Sequence, residues 1–347
     1  MTFSIGKTDI QPASPVYVIA EGCDNHMGDV AVAKEMCVQA KRAGADAIKF
    51  QHHLPDEEML PDTPMSSNMQ EPLYDFLKKY ALSLEEHREL IIFCREAGIQ
   101  YLCTPFSYKA AEEMVGIGLE TIKIGSGEMT DVPSLVRMAK TFGKPMIVST
   151  GMSSYEEIDR TYQALVETNI PLALLNCVSE YPAEYEDINL NVIRGMKNRY
   201  PHAIIGHSDH TLDIYTSFAA VALGARIIEK HVILDKNTPG PDQEVSLNFD
   251  ELAELVCGIR KIEVALGSEK KVHEKEVEIR EWAFRSIVSL GEIKAGAVID
   301  EGMIWSKRPG TGIPSHHRNE VLGRTAQRDI KANQLLVWED VSGEPIL

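Results

Sequence analysis

VYVIAE, residues 16–21, is an apolar run that ends on a carboxylate. The same construction recurs along the chain. DAIKF (46–50) is built around Lys49, QYLC (100–103) precedes Thr104, TIKIG (121–125) is built around Lys123, and PMIV (145–148) precedes Ser149. LALLN (172–176) then leads to Cys177 and Ser179, AIIG (203–206) to His207 and Ser208, and RIIEK (226–230) to His231. Between the runs lie stretches with apolar residues at helical spacing, near 30–44, 84–97, 108–116, 132–142, 154–167, 188–199, 213–223 and 249–266. Eight short runs alternating with helices predict an α/β fold, a (β/α)8 TIM barrel. A barrel of that kind gathers its active site at the C-terminal ends of its parallel strands. The polar residues that close the runs are therefore expected to face one pocket.

A barrel takes about 250 residues, and the chain has 347, so a further small domain fits. After Gly267 the segment SEKKVHEKEVEIRE is dominated by charge and reads as a linker or a solvated helix. From Phe284 onward short alternating segments follow, SIVSL, GEIKAGAVI, MIWSKRPGTGI and DIKANQLLVWEDV. GEIKAGAVI and DIKANQLLVWEDV share an I-K-A unit and form a weak internal repeat. The expected division is a barrel over 1–267, a linker over 268–283 and a small β-rich domain over 284–347.

The formal net charge of −17 repels nucleic acid and anionic membrane surfaces. It also repels an anionic substrate, so such a substrate needs lysines focused in the pocket, where Lys49 and Lys123 are placed. No window reaches the roughly 18 apolar residues of a membrane span, and MTFSIGKTDI has no basic region followed by an apolar core. The six cysteines contain no CxxC pair, which suits a reducing cytoplasm better than a disulfide framework. The long segment from His52 to Gln70 holds three prolines and little periodicity, as functional loops often do.

Read in order, the motifs resemble the sialic acid synthase family, the nonulosonate synthases of capsule and glycan biosynthesis. They are AE-x-x-x-NH-x-G from Ala20, AGAD-x-x-KFQ to Gln51, CTPF with Thr104, KIGSGE with Ser126 and Glu128, and STGM from Ser149. YP at Tyr181, G-x-SDHT with Ser208 and His210, EKH at His231, PGPD ending at Asp242 and KRPGTGI with Arg308 complete the set. The resemblance implies condensation of phosphoenolpyruvate with an N-acylated hexosamine, most simply N-acetylmannosamine, to a nine-carbon 2-keto acid. It implies a divalent metal (Mn2+ or Mg2+) and a C-terminal antifreeze-like (SAF) domain. It also implies a domain-swapped homodimer in which that domain caps the partner's barrel. The first loop, GCDNHMG, departs from many members, and Ser179 stands where some have Asn.

Each residue also has a reading of its own. His210 and His231 close neighbouring strands and suit one open metal site, or merely hydrogen-bond across the barrel mouth. Buried Lys49 and Lys123 require anionic partners. These are either phosphoenolpyruvate, ringed by the hydroxyls of Thr104, Ser126, Ser149, Ser179 and Ser208, or a barrel carboxylate. A Schiff base on Lys123, as in pyruvate-lyase aldolases, is the alternative chemistry. Glu21 is placed to bind a sugar hydroxyl, to reach the metal through water, or to move a proton. Glu128 is a second acid–base candidate. Asp242 either reaches the sugar or serves the Pro-Gly-Pro-Asp turn. Gln51, Asn68, Tyr181 and Phe284 suit hydroxyls and an acyl group, and Arg308 suits an acyl carbonyl. His52, His53, His316 and His317 are expected at the surface. A protein of another class, a carbohydrate-binding module with an inert barrel, has no use for buried lysines.

Overall fold

In the computed structural model, residues 3–64, 71–240 and 242–343 are described. Asn68 lies outside them. The chain divides into two compact units, Met1–Gly267 and Ser268–Leu347.

The first unit begins with a hairpin, β1 (Phe3–Ile5) against β2 (Thr8–Ile10), which the runs do not announce. Eight parallel strands follow: β3 (Tyr17–Cys23), β4 (Ala47–His52), β5 (Gln100–Pro105), β6 (Ile122–Ile124), β7 (Met146–Ser149), β8 (Leu172–Cys177), β9 (Ala203–Asp209) and β10 (Ile227–His231). They close into a barrel in chain order, with β10 pairing both β9 and β3. The predicted (β/α)8 architecture is what the chain adopts. The surrounding helices include Val30–Ala43, Leu84–Ala97, Tyr155–Val166 and Phe249–Ala265. Their ends are written locally. Ser83, Ser154 and Asn248 each cap a helix in a reciprocal pair with a glutamate three residues on. Gly44 stops the first helix in the left-handed region, at φ 87°.

Side chains alternate across each strand, and the alternation sorts the barrel into two cores. Outward residues such as Val18, Ile48, Val148 and Ile228 join the helices in the larger core. Inward residues at the strand starts, Tyr17, Ile19, Ala47, Leu102, Ile147, Ala173, Ile204 and Ile227, pack with Phe3, Ile5 and Ile10. The N-terminal hairpin thus plugs the bottom of the barrel with apolar side chains. Further along the same strands the inward positions turn polar.

In the second unit the charged segment forms an exposed helix, Glu274–Ala283, and not an extended linker throughout. Beyond it, β11 (Ser286–Ser289) pairs antiparallel with β12 (Ile304–Lys307), around a small core that includes Ile287, Ile293, Ile304, Ile330 and Leu336. The two halves of the internal repeat meet: Ile293 and Ile330 exchange backbone hydrogen bonds of 2.9 and 2.8 Å. Gly296 and Asn333, at matching positions of the repeat, both have positive φ (83° and 55°).

Candidate active site

One inward position above this apolar layer, from Ile19 to Glu21, Ala47 to Lys49 and Ile227 to Glu229, the packing gives way to charge. Lys49 of β4 and Lys123 of β6 are buried at 3% and 2% exposure. Lys49 is ion-paired with Glu21 of β3, its neighbour in register. Glu229 of β10 stands between the lysines, 3.7 Å from each Nζ. Lys49 donates to Thr104 Oγ1 (3.0 Å), and Lys123 donates to Ser149 Oγ (2.7 Å) and the Ile124 carbonyl (2.9 Å). Ser208 donates to Glu229 Oε1 at 3.0 Å, while Glu229 Oε2 is buried without a hydrogen-bond donor. The barrel carboxylates foreseen as the bland partners of the lysines are therefore present. They leave part of the cluster unsatisfied.

Burial brings Lys49 down to about 8, Glu229 resisting the fall and Lys123 adding to it. Burial alone would raise the Glu229 carboxyl, but Lys123, Lys49 and the Ser208 hydroxyl outweigh it and hold it below its ordinary value. Glu229 was not among the sequence candidates. It stands two positions before His231, which closes the run, and alternation puts both on the same face.

At the mouth, His231 closes β10 and His210 follows β9. Their ring centroids are 5.1 Å apart, and Tyr181 stacks on His210 at 4.2 Å. His210 Nδ1 lies 2.7 Å from the Val178 carbonyl. A carbonyl only accepts, so Nδ1 carries a proton, and Nε2 is the ring nitrogen that could bind a metal. His231 Nδ1 is buried without a hydrogen-bond partner, 3.8 Å from Asp242 Oδ2. Burial, with His210 and the lysines adding, keeps the His231 imidazole neutral far below its usual range. Among the described residues, Cys23, His231 and Asp242 form a group that could hold a metal ion, their ligand atoms all within 4.8 Å of one another. The sequence points to His231 as a metal residue but gives no sign of Cys23. Its two companions are distant in sequence, so spacing gives no signal for it. Burial raises the Asp242 carboxyl, and Asp24 adds to this.

Around this centre lie the remaining candidates. Ser126 Oγ accepts from the Gly151 amide at 3.1 Å and donates to Cys177 Sγ at 3.6 Å. Ser179 Oγ is 3.8 Å from the same sulfur. Glu128 has a buried, unpartnered Oε2, and burial raises its carboxyl. Gln51 Oε1 accepts from His53 Nε2 at 2.9 Å.

His53 and His52 correct the expectation of surface histidines: both are buried. His53 donates Nδ1 to Glu58 (2.9 Å), lies 3.5 Å from Asp24 and stacks on Phe106 at 4.3 Å. Burial would lower His53, but Asp24 and Glu58 outweigh it and raise it to about 9. His52 donates to Glu113 at 3.2 Å and meets His87 edge-on. Apart from Glu58, five residues along, these partners come from elements that only folding assembles. His316 is exposed, as expected, and His317 is half-buried. Phe284 and Arg308 belong to the second unit, where both are exposed; Arg308 lies over Trp282 and Arg280 over Phe284.

The arrangement resembles known proteins across its length. The model of the NeuB family matches residues 36–271, and that of the SAF domain matches residues 284–342. An uncharacterised protein of Methanocaldococcus jannaschii is 38% identical over 344 residues, 98% of either chain. The N,N'-diacetyllegionaminic acid synthase of Campylobacter jejuni is 36% identical, over 92% of this chain and 98% of its own. The crystal structure of N-acetylneuraminic acid synthetase from Leptospira borgpetersenii, in complex with citrate, superposes with a TM-score of 0.74 at 32% identity, over 80% of this chain and 95% of that one.

Proposed function

The chain belongs to the NeuB family, and on that premise we propose that it condenses phosphoenolpyruvate with an N-acylated hexosamine. The products are a nine-carbon 2-keto sugar acid and free phosphate. The observation that carries the reading is the pair of buried lysines sharing an incompletely bonded Glu229 above an apolar floor. Lys49 and Lys123, with Thr104, Ser149, Ser126, Ser179 and Ser208, are donors for a carboxylate and a phosphate. Two lysines facing Glu21 and Glu229 leave the pocket near neutrality, so a small trianion needs more positive charge there. His210 and His231 would hold a divalent ion (Mn2+ or Mg2+), which would supply that charge and Lewis acidity for the sugar carbonyl. The neutral His231 and the free Nε2 of His210 fit such a role.

The chemistry then falls to the side chains. C3 of phosphoenolpyruvate bonds to the sugar aldehyde carbon, whose oxygen takes a proton. Water adds at C2 and gives up one proton, matching the one taken by the aldehyde oxygen; the C2–O bond to phosphate then breaks, and the remaining hydroxyl proton leaves with the phosphate to give the ketone. Holding both reactants in this cleft supplies proximity. Burial raises the carboxyls of Glu128 and Asp242, which makes them candidates for proton transfer. Glu21, against Lys49, is the third candidate. Gln51 and Tyr181 line the sugar's side of the mouth.

N-acetylmannosamine, giving N-acetylneuraminate, is the first sugar to test. The Campylobacter jejuni relative favours a second, a 2,4-diacetamido-6-deoxy hexose giving legionaminate; the isomer leading to pseudaminate is third. Phosphate release from phosphoenolpyruvate with Mn2+ and each sugar decides among them. Release with none of them rejects the condensation. Borohydride trapping of pyruvate on Lys123 replaces it with a Schiff-base aldolase.

The small domain completes the proposal. Helix Glu274–Ala283 and its end expose the apolar side chains Val277, Ile279, Trp282 and Phe284, surface that a second copy would cover in a domain-swapped homodimer. Arg308 and Phe284 then close the partner's sugar site. Co-expressed Arg308→Ala and Lys123→Ala chains should regain activity in verified heterodimers, because one of two shared sites is intact. No regain means each chain caps its own barrel.

A further inference from the structure

Cys23 occupies a backbone position that a thiol is not needed to fill. The strand bends there: Glu21 pairs with Lys49 but Cys23 pairs with Phe50, one residue on instead of two. Such a bulge re-aims the side chains beside it. Cys23 has φ 37°, a region non-glycine residues rarely adopt and glycine enters freely. Its amide donates to Glu21 Oε1 at 2.7 Å, which ties the bend to the lysine cluster. A Cβ on Gly22 would meet the Phe50 ring at 2.7 Å, so the bend also depends on the residue before it. The result is a fully buried thiol beside His231 and Asp242. His231 Nδ1, itself in a side chain only 6% exposed, points into the same space with no partner. Asn25 braces the far side, donating to the Val232 carbonyl (2.9 Å) and Ser246 Oγ (3.0 Å) on the segment that carries Asp242.

We propose that Cys23 supplies a thiolate ligand at the barrel mouth, so that this chain's site prefers a borderline divalent ion such as Co2+, Zn2+ or Fe2+ over Mg2+. Imidazole and carboxylate alone accept hard ions. A thiolate shifts the preference towards softer ones, and binding releases the thiol proton to solvent. The three donors lie close enough for one ion, with bonds of about 2.0–2.3 Å, to draw together. The proposal deepens the metal part of the reading above and does not depend on which sugar is used.

The test uses the full chain, stripped of metal with a chelator and titrated anaerobically with Co2+. The expected result is a near-ultraviolet thiolate-to-cobalt charge-transfer band that saturates at one ion per chain. Zn2+ should bleach it, and excess Mg2+ should not. Cys23→Ser should lose the band and bind Co2+ about 10- to 100-fold more weakly. Cys23→Gly should do the same with a backbone suited to the bend, and Cys257→Ser, at an exposed thiol, should keep the band. Stoichiometric Co2+ without the band overturns the proposal. So does a band that survives in Cys23→Ser and disappears in Cys177→Ser. Phosphate release, measured on the same samples, separates the two readings. Turnover without the band removes the thiolate and keeps the condensation. The band without turnover on any acylhexosamine keeps the thiolate and removes the condensation.

Discussion

Two clusters of buried lysine and carboxylate lie within a few residues of each other, and only one is finished. On the outside of the barrel wall, Lys230 sits 3.2 Å from Asp209, both fully buried. Lys230 also donates to the Thr211 carbonyl at 2.5 Å. Asp209 Oδ1 accepts from the Thr211 amide and hydroxyl (2.9 and 2.8 Å), and Oδ2 accepts from Thr216 and Ser217 (both 2.6 Å). Burial alone would raise this carboxyl, yet Lys230 and the hydroxyls hold it below the usual carboxylate range. On the inside, Lys49 and Lys123 share Glu229 at 3.7 Å with one oxygen unpartnered. The contrast separates scaffold from site. A buried charge whose hydrogen bonds are all met by the chain fixes geometry, whereas one left short is prepared for a ligand.

The largest effect should come from the unfinished cluster. Lys49→Met or Lys123→Met should lower kcat/KM for phosphoenolpyruvate by roughly 30- to 5,000-fold, the equivalent of about 2–5 kcal/mol for a lost buried charge contact. Urea unfolding should move much less in Lys123→Met, because Lys49 stays beside both Glu21 and Glu229. A variant with wild-type kinetics makes its lysine structural and erases the contrast. Lys230→Met should reverse the pattern and lose about 3–5 kcal/mol of stability in denaturant unfolding, because Asp209 is left buried and unpaired. Stability unchanged in Lys230→Met would show that complete hydrogen bonding does not mark a scaffold pair.

A third buried charge sharpens the comparison at smaller amplitude. His53 is raised to about 9 against Asp24 and Glu58, above an unfolded value near 6.5. Its stabilising contribution is therefore full below pH about 6.5 and lost as pH rises through about 9. Stability followed across this range should fall by about 1–3 kcal/mol, and His53→Gln should flatten that part of the curve. An unchanged curve in His53→Gln means that His53 is held neutral.

Most of the barrel was legible because strand periodicity and helix stops are local. The N-terminal hairpin was not: FSI and TDI are three residues each, too short for a period. The lysines were legible by contrast with their apolar neighbours. Glu229 was hidden one alternation below His231, and the burial of His53 depends on Asp24 and Phe106 arriving from other loops. Cys23 was invisible because a bulge and a left-handed residue, not a motif, aim it at His231.

The plug that Phe3, Ile5 and Ile10 drive into the barrel floor has a kinetic meaning. It turns the pocket into a cul-de-sac, with Lys49 and Lys123 deep inside and Tyr181 at the entrance. Traffic in a dead end must queue. If the lysines hold the enol phosphate, that reactant has to arrive before the sugar. Initial-rate patterns and dead-end inhibition by unreactive sugars would then follow an ordered sequence set by architecture, with no conformational gate required.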